Sequence, residues 1–212
     1  MRASMRWRMS LDRALCRSGR MNCNQMCKSF PAECNRTGFQ YELVRDRLVR
    51  TNPPNQEHDH ITVLLATALQ NFVRPLSLGR VLVEPGYTLT LNPDSVRGPD
   101  VSFVRSGRSD YPPRRGFYVG APDLAVEVRS PDDSIAGLLE KANEYHRAGT
   151  ELVWIIDPED HTARVLRHDG TDVTFRIGDS LDGEAVLPGF VLTLDEVFDS
   201  PSLQRGSSDD RA

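Results

Sequence analysis

The sequence predicts a mixed α/β domain with a central sheet and helices packed on it, and three observations carry that expectation. Residues 123–156 read as strand, helix, strand: an apolar run at Leu124–Val128, a helical stripe, and a second apolar run at 152–156. Residues 57–73 carry Ile61, Leu64, Leu65, Ala68, Leu69 and Phe72 at helical spacing. Between and after these segments, short apolar runs are punctuated by Pro, Gly, Asn and Asp, as strands are.

The elements follow in order. Residues 41–44 and 47–50 read as two short strands around a tight turn at Arg45-Asp46, followed by a Pro53-Pro54 break. Asn55 is placed to cap the first helix, and Pro75 ends it. Strands are expected at 81–83, 87–91 and 100–105, with a turn at Asn92-Pro93-Asp94. A loop rich in Arg, Pro and Gly spans 106–120, and a strand at 123–129 follows. Ser134 caps a helix to Arg147, with Ile135, Leu138, Leu139, Ala142 and Tyr145 on its inner stripe and Gly149 as its stop. Strands at 152–156, 163–167 and 173–177 complete the body. The strand–helix–strand unit implies two parallel strands joined by a right-handed crossover.

A chain of 212 residues fits one ordinary domain with tails. Apolar content of 39% and charged content of 26% place it among globular proteins, away from disordered chains. The longest apolar run, 61–69, is interrupted by threonines and falls short of the roughly 18–20 residues a membrane helix needs. No membrane partner is expected.

Charge is unevenly spread. Residues 1–28 hold seven basic side chains against the single acid Asp12, a net of +6 that leaves −10 for the rest of a chain totalling −4. An acidic body argues against broad electrostatic binding of nucleic acid. Cys16, Cys23, Cys27 and Cys34 all lie in this region; only Cys23 and Cys27 have a spacing suited to zinc, so a zinc knuckle is not expected. Residues 1–37 are expected to be a basic tail or a start-site extension, 38–200 the folded domain, and 201–212 a polar tail. A body without cysteine fits a reducing cytoplasm.

Two carboxylates stand where a sheet would present them. Asp100 follows Pro99 and opens a strand, while Glu127 sits inside the apolar run 124–128. A glutamate there is costly unless it is paired, exposed at a sheet end, or bound to a metal. Hard divalent cations favour oxygen donors and often use one or two carboxylates, so two acids on neighbouring strands suit Mg²⁺ or Mn²⁺. The bland alternatives are a turn cap for Asp100, a buried ion pair of Glu127 with Arg129 or Lys141, and a surface position for Lys141. His58 and His60, two apart, do not share a helix face, so His58 is expected to cap or support rather than to bind metal. Arg105, Arg108, Arg114 and Arg115 are read as phosphate contacts or as a solvated loop.

Gly98-Pro99-Asp100-Val101 and Gly120-Ala121-Pro122-Asp123-Leu124-Ala125-Val126-Glu127-Val128 resemble the PD…(D/E)xK signature of restriction-endonuclease-like proteins. More closely, the chain is similar to the bacterial putative restriction endonuclease family, in which the signature lysine has moved to the following helix. Lys141 to Gly149, the run 152–158, Tyr41-Glu42-Leu43, His58 with Ile61, and Val186-Leu187-Pro188-Gly189-Phe190 carry that resemblance in order.

The resemblance implies a restriction-endonuclease-like fold and a magnesium- or manganese-dependent endonuclease acting on DNA. It makes Asp100 and Glu127 metal ligands, Lys141 the catalytic cation, and Glu42 an additional acid near the metal. Position 129, two after Glu127, holds an arginine where many nucleases of this fold keep lysine; it stays charged and cannot act as a base near neutral pH. The rival expectation is a catalytically idle nuclease-fold protein that binds nucleic acid or a protein partner. A homodimer is the assembly to test.

Overall fold

The structure, a computed structural model, describes residues 40–45, 47–51, 55–91, 93–108 and 117–198. The four cysteines, the boundary at residue 38, Arg114, Arg115 and the segment 201–212 lie outside the described residues.

The first hairpin pairs β1 (Gln40–Val44) with β2 (Arg47–Thr51). Helix α1 (Gln56–Val73) begins as expected, with Asn55 accepting the His58 amide at 2.8 Å. Then come β3 (Gly79–Val83), β4 (Tyr87–Thr90), β5 (Ser95–Arg97) and β6 (Val101–Arg105). They are followed by β7 (Tyr118–Val119), β8 (Leu124–Val128), α2 (Ile135–Arg147), β9 (Leu152–Asp157), β10 (Thr162–Arg167) and β11 (Asp172–Arg176). The chain closes with β12 (Ser180–Asp182), β13 (Val191–Thr193) and the short helix α3 (Leu194–Phe198).

The expected central sheet is six-stranded, in the order β11-β10-β9-β8-β6-β3. Strands β8 and β9 run parallel across the α2 crossover, and the other neighbours are antiparallel. A second, five-stranded sheet, β2-β1-β5-β4-β7, was not expected from sequence. Its strands β5 and β7 have three and two residues, too short to show a two-residue alternation. The phenol of Tyr87 on β4 lies 2.9 Å from the Ser102 hydroxyl on β6, joining the two sheets by a buried contact.

The large sheet is covered on both faces, as an apolar, non-alternating sequence at β8 and β9 demands. On β8, Leu124, Val126 and Val128 face a core that includes Leu65 and Leu69 of α1 and Leu194 of α3. Ala125 on β8, with Val153 and Ile155 on β9, faces the other core, built with Leu138, Ala142 and Tyr145 of α2. Each fully buried Leu or Val contributes about 1.5–3 kcal/mol. Ile135 was expected on the inner stripe of α2 and is instead 37% exposed, in the first turn of the helix.

Candidate functional site

Strand parity decides which side chains can meet. On β8, Glu127 shares the α2 face with Ala125. Strand β6 pairs with β8 in the register Val101↔Val126 and Ser102↔Ala125. Continuing that register by one residue sets Asp100 beside Glu127, on the same face as Val104. Position Asp100 lies just past the strand end, where its Oδ2 accepts the Val128 amide at 2.7 Å. Its Oδ1 lies 3.2 Å from Nε2 of His58, which the N-terminal turn of α1 brings to the same sheet end.

Glu127 is 2% exposed, and its ion-pair partner is Lys141, not Arg129. Its Oε2 accepts from Lys141 Nζ at 2.8 Å, and its Oε1 accepts the Tyr145 hydroxyl at 2.8 Å. Lys141 and Tyr145 are four apart on α2, one turn on one face. Arg129 pairs instead with Asp157 at 2.9 Å and Glu159 at 3.2 Å.

Glu42 reaches the same point from β1 in the small sheet. Its Oε1 lies 3.1 Å from Lys141 Nζ and accepts the Gly98 amide at 3.2 Å. Its Oε2 accepts from Arg97 Nη1 at 2.8 Å, while Arg97 Nε donates to Glu144 Oε2 at 2.8 Å. The structure therefore brings Asp100, Glu127, Lys141 and Glu42 together. Sequence reasoning missed Arg97 and Glu144, and it read Tyr145 only as a core residue. Their signals were present: Arg97 is three residues before Asp100, and Glu144 and Tyr145 are three and four after Lys141.

The electrostatics follow from crowding. Burial raises the Glu127 carboxyl to about 7; Lys141 opposes this, and the charges of Asp100 and Glu42 add to it. Burial also disfavours a charged Lys141, but Glu127, Glu42 and Asp100 outweigh it and hold the ammonium charged. In Glu42, burial is outweighed by Lys141 and Arg97, so its carboxyl is lowered. Burial and the neighbouring Glu127 raise the Tyr145 phenol, which stays a donor. His58 is raised because its contact with Asp100 exceeds the cost of burial.

Arg105, which closes β6, and Arg108 just beyond it already have partners. Arg105 pairs with Asp123 and Glu151 and donates to the Ala185 carbonyl at 3.0 Å, and Arg108 lies 3.2 Å from Asp123. These contacts tie β6 to β8 and to the following loops. His60 is exposed, two positions from the buried His58. Among the described residues, no three His, Cys, Asp or Glu side chains are grouped so as to hold a metal by themselves.

The donor set is thus two carboxylates and a lysine at the end of a sheet, the arrangement named by the sequence resemblance. A family model described as Uma2, "Putative restriction endonuclease", matches residues 24–195, well over half of the chain. The chain belongs to the Uma2 family. Among solved structures, this Uma2 chain is similar to one titled a putative nuclease belonging to DUF820, from Anabaena variabilis ATCC 29413. The TM-score is 0.67 at 21% identity, covering 74% of this chain and 89% of that one, so the likeness is one of fold. Among functionally curated proteins, none matches the Uma2 chain. No helix among the described residues is long and apolar enough to cross a membrane.

Proposed function

We propose that this Uma2 protein is a Mg²⁺- or Mn²⁺-dependent endonuclease that hydrolyses phosphodiester bonds of DNA in the cytoplasm, with Asp100 and Glu127 holding the cation. The observation that carries the reading is the shared face of Asp100 and Glu127 at the sheet end, with the Lys141 ammonium 2.8 Å from Glu127. Charge balance supports a divalent ion. Among the described residues, Asp100, Glu127, Glu42 and Glu144 face two permanent cations, Lys141 and Arg97, with His58 beside Asp100, so the fully ionised set is short of positive charge. Oxygen donors in this state suit a hard cation.

Bound there, such a cation polarises a phosphate and lowers the pKa of water. The chain's own groups do the rest. Val128 N–H and His58 fix both oxygens of Asp100, and Tyr145 fixes one oxygen of Glu127, so neither carboxylate has to reorganise. Lys141 keeps its proton and supplies a fixed positive charge where negative charge grows on the phosphoryl oxygens. Arg129 points to Asp157 and takes no part. A homodimer would place two such sites on one duplex, and light scattering with and without a DNA duplex tests that arm.

The test incubates supercoiled plasmid with Mn²⁺ and wild type, Asp100→Asn, Glu127→Gln or Lys141→Ala protein. Nicking by the wild type alone supports the enzyme. Metal binding without cleavage of several DNA and RNA substrates favours an idle nuclease fold that binds without cutting. Equal nicking by all four proteins identifies a contaminant.

A further inference from the structure

We infer that Arg97 is a positioning residue of this site: through Glu42 it fixes where the Lys141 ammonium lies, which makes Glu42 a bridge between two cations rather than a metal ligand. The inference rests on the nuclease reading for its catalytic consequence, but not for its geometry.

Arg97 is buried at the end of β5, and its planar guanidinium spans two carboxylates on different elements. Nε donates to Glu144 on α2 and Nη1 to Glu42 on β1, each at 2.8 Å. A rigid fork of this kind fixes the separation of its two partners, which a lysine's single ammonium would not do. Three of the roughly four acceptor positions of Glu42 are then in use. One oxygen is taken by Arg97, and the other by the Gly98 amide and the Lys141 ammonium.

Lys141 depends on that arrangement. Its flexible four-carbon stem ends between Glu127 Oε2 on the large sheet and Glu42 Oε1 on the small one. With one anchor the ammonium would sweep an arc about Glu127; with two it has one place. Glu144 lies three residues beyond Lys141 on the same face of α2, so the arginine ties the helix and Glu42 to each other. Arg97 also sits three residues before Asp100 in one connection, which ties the lysine to the acid expected to share the ion.

Two variants test this without relying on one that fails to fold. Glu42→Gln is isosteric, but its amide cannot accept from Arg97, Gly98 and Lys141 together. Arg97→Met with Glu144→Met removes one charge pair as a unit and leaves Glu42 held by the Gly98 amide and Lys141. The readouts are the ¹H–¹⁵N ammonium resonance assigned to Lys141 by its loss in Lys141→Met, the rise in Tm with Mg²⁺, and the kcat against KM split on plasmid. Both variants should lose the protected ammonium resonance to exchange with water and keep the Mg²⁺-dependent rise in Tm. Their kcat should fall on the order of 100-fold with KM nearly unchanged, and Arg97→Lys should not restore it. An ammonium resonance unchanged in both variants overturns the inference. Loss of the Mg²⁺ effect in Glu42→Gln with the resonance intact also overturns it, by making Glu42 a ligand. Wild type that never nicks plasmid, with the resonance behaving as expected, removes the nuclease reading and leaves the positioning standing.

Discussion

Tyr145 donates its hydroxyl to Oε1 of Glu127 at 2.8 Å, leaving Oε2 to Lys141. A buried carboxylate with one oxygen unserved is costly. Tyr145→Phe is therefore expected to lower stability by about 1–3 kcal/mol, read by urea unfolding, and to weaken the Mg²⁺-dependent rise in Tm. A variant as stable as wild type, with the same metal response, would show that the phenol packs without holding the acid.

Stability of the metal-free protein should fall as pH rises from about 5 to 7.5. The folded Glu127 carboxyl keeps its proton to about 7, while the unfolded chain releases it near the ordinary 4.5. Across that window the folded state holds more protons, so the slope of stability with pH is negative. His58, also raised, contributes in the same direction as pH passes its folded value. Thermal melts in matched buffers should show the decline in wild type and a flatter profile in Glu127→Gln. An equal slope in both would place the titration elsewhere.

Metal should act by mass action on the folded state. At a Mg²⁺ concentration of about 100 Kd the gain is about 2.7 kcal/mol. Asp100→Asn and Glu127→Gln should each abolish it. Relief of repulsion among neighbouring acids should leave their metal-free forms at least as stable as wild type at pH 8. A metal-dependent melting shift that survives in both variants would move the ion away from these residues.

Gly79 tests the register that frames the site. It pairs with Arg105 across β3 and β6, and a Cβ there would lie 2.1 Å from the Val104 carbonyl oxygen. Backbone cannot step aside as a side chain tip can, so Gly79→Ala should cost about 1–3 kcal/mol and shift β6, and with it Asp100. Chemical denaturation measures the cost. A neutral substitution would mean that β3 and β6 pair differently.

Much of this architecture could be read from the residues because helices and buried parallel strands advertise themselves. The Asn55 and Ser134 caps, the α1 stripe and the β8-α2-β9 crossover are local patterns with local causes. The small sheet is not local. Its β1 meets β5 at Leu43↔Val96, across a gap in sequence that no periodicity spans. The pairing of Asp100 with Glu127 followed from acids in costly positions, whereas Arg97 looked like any arginine after a short run. Nothing in the spacing of Glu42, Arg97 and Glu144 shows that one guanidinium bridges two of them, because that depends on how two sheets pack. Ile135 has the helical phase of Leu138, Ala142 and Tyr145 but, as the first residue of α2, stays exposed, and phase alone does not report that.

The charged cluster draws on β1, β5, the β5–β6 connection, β8 and α2, so its members, Glu42 to Glu144, are scattered across more than a hundred residues of chain. During synthesis Glu42 leaves the ribosome first and Lys141 close to last. Until α2 has emerged, Glu127 has neither Lys141 nor Tyr145 and must stay protonated or in water. The core under α1 is no earlier, since Leu152, Trp154, Ile156, Leu181, Leu187 and Leu194 all lie beyond α2 in the chain. The proposed nuclease site is therefore absent from the nascent chain and exists only once α2 has docked.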